Sequence, residues 1–561
     1  MSASSPEVAS LLGDSGGLQE KVRHDAEDGD LAPTPRHERI WTTLDFARMW
    51  VSILVNPSGY ILGAALLHLG LGWREAVFAV FVGSSILVTG LIANGVAGAR
   101  FGIPFPVLAR MSFGYEGAKA VAVLRGLIAI YYISINMWIG AEALVKGYGA
   151  AAREGGGGGD GGGAGSASGG GGSLPSDDEG VSAGRLISFA LYTLLHLAVF
   201  AGNGINTMRL LAKWLMPLQL GGLLGILAWS LSSVPLATTL ENTNSMVEDR
   251  KPWAFPVAVT TVISSWSTMS LNIADISRFA TSQRAQALGQ LVGFVLPNVA
   301  VATIGILTTG AASELYPEKA SELWNFVTLL DIWPPVVSVA AALVLSMSIL
   351  SHNIAANVVS PANDLANLLP SRVSFRAGAY SSILIAACLM PWKILATPGG
   401  YIHSFVLAYS TFTGAILGVM LADFFALRRQ LLTVPSLYQP LGPCRYSCGF
   451  NLIGIASALL AVAPCLPGLV VRLSGNDAAL TAPGASQLLV AFSRVYDTAW
   501  FVSVVLGGGC CVMLSWCMPG YQGLHATTWQ EKETGGMSGT AGGRRGFARI
   551  NEAEPVALRI S

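Results

Sequence analysis

The chain has 561 residues with 33 basic and 33 acidic side chains, so its formal net charge is zero, and 52% of it is hydrophobic while only 12% is charged. A soluble chain of this length carries about twice that charged share to solvate its surface, so the composition points to an exterior that faces lipid. No block of basic residues suits nucleic acid, and seven scattered Cys, five of them in apolar runs, imply neither a disulfide framework nor a metal site.

The first forty residues are polar and mixed in charge, with no apolar core of a signal peptide, and read as a disordered cytosolic tail. Spanning a bilayer takes about 20 largely apolar residues. That ruler places twelve spans near 48–68, 75–97, 120–145, 186–201, 210–233, 254–274, 287–309, 335–360, 377–396, 401–427, 450–471 and 495–518. The region 320–333 adds a candidate surface helix, and residues 519–561 read as a second disordered tail. Alternate connections carry Arg100, Arg110, Lys119, Arg209, Lys213, Arg278, Arg284, Arg372, Arg376, Arg428 and Arg429, while the others hold most of the acids. This asymmetry places both termini in the cytosol. The Gly tract at 154–173 then lies outside, where it behaves as a flexible loop insertion; no Lys-Ser/Thr follows it and no strand precedes it, so it is not a phosphate loop.

Polar groups inside spans are costly, so each is a functional candidate. In the first span Asn56-Pro57-Ser58-Gly59 interrupts an apolar helix, and the proline frees backbone groups there. The sixth span carries Ser264-Ser265-Trp266-Ser267-Thr268 at its middle, with Asn272 and Asp275 following. Interruptions in spans one and six, five helices apart, match an inverted repeat whose broken helices build a midplane site. In the third span Tyr132 and Asn136 share a helical face. The eighth carries Ser348, Ser351, His352, Asn353 and Asn357, too many polar groups to face lipid. Asp364 and Asp423 stand at cytosolic helix ends, where interfacial solvation accounts for them.

Four stretches occur in the order found in nucleobase–cation symporter family one: GIPFPVLARMSFG at 102–114, LNIADISRF at 271–279, NIAANVVSPAND at 353–364 and PWK at 391–393. The chain resembles that family over roughly residues 40–430. The resemblance implies an all-α fold of about twelve transmembrane helices, with a LeuT-like five-plus-five inverted repeat over 41–430 and two further helices over 431–518. It also implies a ring substrate stacked between aromatics of spans three and six. Trp266 then stacks on the ring beside Ser265, and Asn357 supplies an amide. Tyr132 and Asn136 stand where the family commonly has Trp and Gln. Planar rings stack on aromatic faces, and carboxamides match their donor–acceptor edges.

Sodium-coupled members hold their ion with a Ser-Thr pair of the eighth helix and carbonyls of the broken first helix. Here that pair is Ser351-His352, and imidazole is a poor ligand for a hard cation, so the resemblance favours protons over sodium. Ser348, Ser351, His352 and Asp275 are the candidate coupling residues. The expectation is a symporter, not an enzyme: no cluster of His, Asp or Glu converges in the spans as catalysis would require. Its partners are a heterocycle, a cation and the bilayer, with no nucleic acid and no cofactor. The plasma membrane is the expected location, with the plastid envelope as the alternative. A sodium-coupled symporter of another ring, such as hydantoin, a vitamin or a nucleoside, is the competing reading.

Overall fold

The computed structural model describes residues 31–55, 57–155, 182–200, 204–245, 253–319, 326–368, 372–392, 400–439, 442–473 and 486–518, and every regular element among them is helical. The Gly tract, Asn56 and the tails at 1–30 and 519–561 lie outside these residues. In lipid each backbone group needs an internal partner, which leaves the helix as the form for an apolar run. Seven helices are long and apolar enough to cross a membrane alone, and two bent pairs do so together. Two shorter apolar helices, Ala183–Val199 and Phe375–Cys388, and the serine-rich Ala254–Asn272 bring the described spans to twelve.

The first span is two helices, Thr43–Leu54 and Pro57–His68, bent by 56°. A capping box starts it: Thr42 N donates to Asp45 Oδ2 at 3.0 Å, and Asp45 N to Thr42 Oγ1 at 3.4 Å. The sixth span departs from expectation, since Ala254–Asn272 runs unbroken through the serine cluster and stops only at Ile273, before the single turn Ala274–Ser277. The hydroxyls explain this. Ser265 donates to Thr261 O at 2.9 Å and Ser267 to Ser264 O at 3.1 Å, so the helix satisfies its own polar side chains. At the true break Asn94 of the second span donates to both Ser270 O and Leu271 O at 2.8 Å.

Spans one, two, six and seven pack on one another, as do three, four, eight and nine, while ten packs on six and twelve. Glycines allow the closest crossings. A Cβ on Gly305 of the seventh span would lie 2.5 Å from Tyr60 O of the first, and one on Gly140 of the third would lie 2.5 Å from the Tyr192 ring of the fourth.

Three expectations need correction. Residues 31–40 are not a free tail: Leu31 is buried, Tyr438 Oη donates to Leu31 O at 2.6 Å, and Arg39 Nε donates to Thr34 O at 3.0 Å. Of the candidate surface helix at 320–333, residues 320–325 lie outside the described residues, and the remainder forms one turn, Phe326–Leu329, with Val327, Leu329 and Leu330 buried. Asp364 and Asp423 are not solvated at an interface; they are 1% and 5% exposed. Between spans two and three lies the short helix Phe105–Phe113, buried along its whole length at the end of the bundle where the basic connections cluster. That end is called the basic end below. Gly102, at φ 76°, turns the chain into this helix in a conformation that glycine adopts without strain.

Candidate functional site

Spans three, six, eight and ten are linked near Trp266 through His352 and Tyr409. Its ring is 5% exposed and stands perpendicular to His352, with centroids 5.8 Å apart, and to Phe294 of the seventh span, at 6.2 Å. The indole Nε1 has no hydrogen-bond partner among the described residues. Tyr132 is tied to the sixth span through the tenth: its hydroxyl lies 3.0 Å from the Tyr409 hydroxyl, which donates to Ser264 O at 2.6 Å. Asn136 donates to Tyr132 O at 2.9 Å, and Ser265, half-buried, keeps its hydroxyl on its own helix.

The eighth span breaks its regular winding here. Helix Pro335–His352 passes into a π-turn at Asn353–Val358 before Val359–Leu368 resumes, a feature common at functional sites. The turn carries a directed amide chain. His196 Nδ1 lies 2.9 Å from Tyr192 O, and a carbonyl can only accept, so Nδ1 bears the proton and Nε2 accepts. Asn353 Nδ2 then donates toward His196 Nε2 at 3.3 Å and to Ile133 O at 3.1 Å. Asn357 Nδ2 donates to Asn353 Oδ1 at 2.9 Å. Asn357 Oδ1 is left without a protein donor among the described residues, an acceptor next to the Asn353 amide.

The second group sits at the bend of the first span. His352 Nδ1 lies 2.8 Å from Ile53 O, Ser348 Oγ donates to Val55 O, and Ser351 and Ser52 hydroxyls meet at 2.7 Å. Gln219 of the fifth span donates to Ser348 Oγ at 3.3 Å. Two carbonyls at the bend are thus met by side chains of the eighth span. Gly59 packs tightly behind them, where a Cβ would lie 2.8 Å from Val301. Pro57 opens the second half-helix; of the Pro57 and Ser58 side chains nothing is described, and Asn56 lies outside the described residues.

Asp275 does not join this group. It lies ten residues beyond Ser265, about 15 Å along a helix axis, toward the basic end. There its Oδ1 accepts from Phe105 N at 2.8 Å, capping the short helix, and its Oδ2 accepts from Ser360 Oγ at 3.3 Å. His196, Asn353 and Tyr409 are further members of the site. A lone His in the apolar fourth span is itself a signal; Tyr409, in an aromatic-rich apolar run, gives none.

The profile of a family described as "Permease for cytosine/purines, uracil, thiamine, allantoin" matches residues 33–502. A purine-uracil permease of Arabidopsis thaliana is 29% identical over 484 residues, covering 85% of this chain and 76% of the relative. An allantoin permease of Bacillus subtilis is 29% identical over 491 residues, covering 85% and 90%. Among solved structures, Mhp1, a nucleobase-cation-symport-1 family transporter in a closed conformation with bromovinylhydantoin bound, superposes with a TM-score of 0.67 at 19% identity, over 88% of this chain and 96% of that one. A sodium-coupled sialic acid symporter gives 0.52 at 12% identity, over 90% and 97%. These likenesses show the LeuT-like fold, five helices repeated in inverted orientation with two more appended.

Proposed function

We propose that this chain, which belongs to the family of permeases for cytosine/purines, uracil, thiamine and allantoin, imports a nucleobase or related heterocycle in symport with protons. It is a multi-pass membrane transporter and not an enzyme. The relatives named for purines, uracil and allantoin put purines, uracil and allantoin first among its candidate substrates. In this reading the ring stacks on Trp266 and Tyr132, and Asn136 and Asn357 read its polar edge, with Asn357 Oδ1 taking a ring N–H.

The observation that carries the choice of ion is His352 Nδ1 at 2.8 Å from Ile53 O, beside Ser348 on Val55 O. Sodium would need those carbonyls and a hydroxyl at position 352 as oxygen ligands. Here protein donors already occupy the carbonyls, and a sodium ion would have to displace them. The basic end faces the cytosol, and the plasma membrane is the proposed location, with the plastid envelope as the alternative.

The test is uptake of labelled uracil, cytosine, adenine, guanine and allantoin in cells lacking their own nucleobase permeases. At least one label should accumulate, faster as outside pH falls from about 7.5 to about 5.5, and collapse with a protonophore while ignoring sodium replacement. Accumulation that requires sodium and survives the protonophore would overturn the choice of ion. No uptake of any of the five by a surface-delivered protein would overturn the substrate class.

A further inference from the structure

Three aspartates are buried near the basic end, and the structure treats them unequally. Asp275 accepts hydrogen bonds from Phe105 N and Ser360 Oγ. Asp423 accepts from Ser112 Oγ at 2.9 Å and from Arg428 Nε at 3.0 Å. Asp364 accepts none at either oxygen among the described residues. Its only ionic partner among the described residues is Arg125 Nη1 at 3.8 Å, both side chains being at most 2% exposed. An ionised carboxylate withdrawn from water with no hydrogen bond is costly, whereas its protonated form is not.

Arg125 is divided among several claims. It reaches Ala356 O at 3.4 Å. In the amide orientation that satisfies both ends of Asn272, Arg125 Nη2 also donates to the Asn272 oxygen at 3.0 Å, and Ser360 Oγ lies 3.1 Å from the same oxygen, its one proton shared between Asn272 and Asp275. Spans three, six and eight are therefore tied at one point, across the boundary between the two packed groups of helices. Ser360 and Asp364 stand four residues apart on one side of Val359–Leu368, and Asn357 lies in the π-turn just before it. The amide assigned to the substrate and the bare carboxylate thus lie on one span, about 10 Å apart along the axis.

We infer that Asp364 is where the coupling proton binds, and that protonating it loosens the tie among the third, sixth and eighth spans; this rests on the proton-symport reading above. The charged groups around it are few. The third span presents Arg125, and the sixth presents Asp275 with Arg278 beyond it. On the short helix Arg110 is turned to Leu437 O at 3.0 Å and the Tyr115 ring, and on the ninth span Arg376 is exposed. His352 lies three turns away on the same span, occupied with Ile53 O. A proton entering from outside converts the Asp364 carboxylate to the acid. Arg125 then remains beside Asp275 and Asn272, its ion pair with the eighth span released and only the 3.4 Å contact with Ala356 O left on that span. Opening at the basic end lets the acid return its proton to the cytosol, and the tie re-forms.

The experiment uses the full chain in permease-deficient cells and in proteoliposomes, with labelled uracil, guanine and allantoin as probes and surface delivery measured. The neutral Asp364→Asn should lose accumulation under an inward proton gradient and lose the pH dependence of uptake. It should keep exchange of label between the two sides, which needs no net proton movement. Asp364→Glu should keep accumulation with a displaced pH profile. An Asp364→Asn protein that still accumulates probe with the unmodified pH profile overturns the inference. So does an Asp364→Asn protein without exchange joined to an Asp364→Glu protein whose pH profile is unmoved or whose transport is lost. Failure of the symport reading looks different: the unmodified protein itself then accumulates no probe under a proton gradient.

Discussion

Trp266→Ala tests the site most directly, because the structure separates what the ring does for folding from what it does for a ligand. The indole is 5% exposed against His352 and Phe294, and truncating so buried a Trp costs about 3–5 kcal/mol of stability. Loss of the stacking face costs a bound base about 1–3 kcal/mol, or roughly 5- to 150-fold in apparent affinity. Trp266→Phe keeps an aromatic face. It also breaks no hydrogen bond within the protein, since Nε1 has no partner among the described residues, so about a tenfold rise in KM or less is expected. The assay is initial uptake against substrate concentration, normalised to protein at the cell surface by biotinylation. The Ala variant should show little uptake and the Phe variant a raised KM with Vmax largely kept. An Ala variant delivered normally, with KM unchanged, would refute the assignment of Trp266 to the substrate.

Other outcomes follow from the same geometry. His352→Thr removes the imidazole from Ile53 O and supplies a hydroxyl, so uptake should become stimulated by sodium, read by replacing sodium with choline. Asp275→Ala removes the cap on Phe105 N, worth about 0.5–2 kcal/mol; purified protein should melt at lower temperature while KM stays unchanged. Deleting residues 155–172 should leave transport largely intact in whole-cell uptake, because a flexible loop adds little stability.

The twelve spans were legible because lipid imposes one rule on every apolar run, namely that the backbone bond to itself. The bend of the first span was legible too, since proline announces it. The interruption of the sixth was misplaced because serine and threonine look disruptive in a sequence yet fold their hydroxyls back onto the preceding turn, as Ser265 does onto Thr261. Depth was the harder quantity. Asp364 and Asp423 sit near helix ends in sequence, but the short helix Phe105–Phe113 and the start of the eleventh span cover that end, and no single-helix pattern reports such a cover. Asn353 was visible as a polar residue, whereas its partner His196 lies 157 positions away in sequence, so their contact belongs to the packing of the fourth span on the eighth.

The π-turn at Asn353–Val358 makes the eighth span a helix with one residue to spare. Were this turn wound as regular helix with all its residues kept, everything downstream would rotate by about 100°. Asp364 would swing off Arg125 and Ser360 off Asp275, with no charge changed and no polar group deleted. Residues on the near side, His352 and Ser348, would keep their hold on the first span. The turn therefore acts as the phase-setting joint between two machines on one rod, and winding it regularly would break the far contacts while leaving the near ones intact.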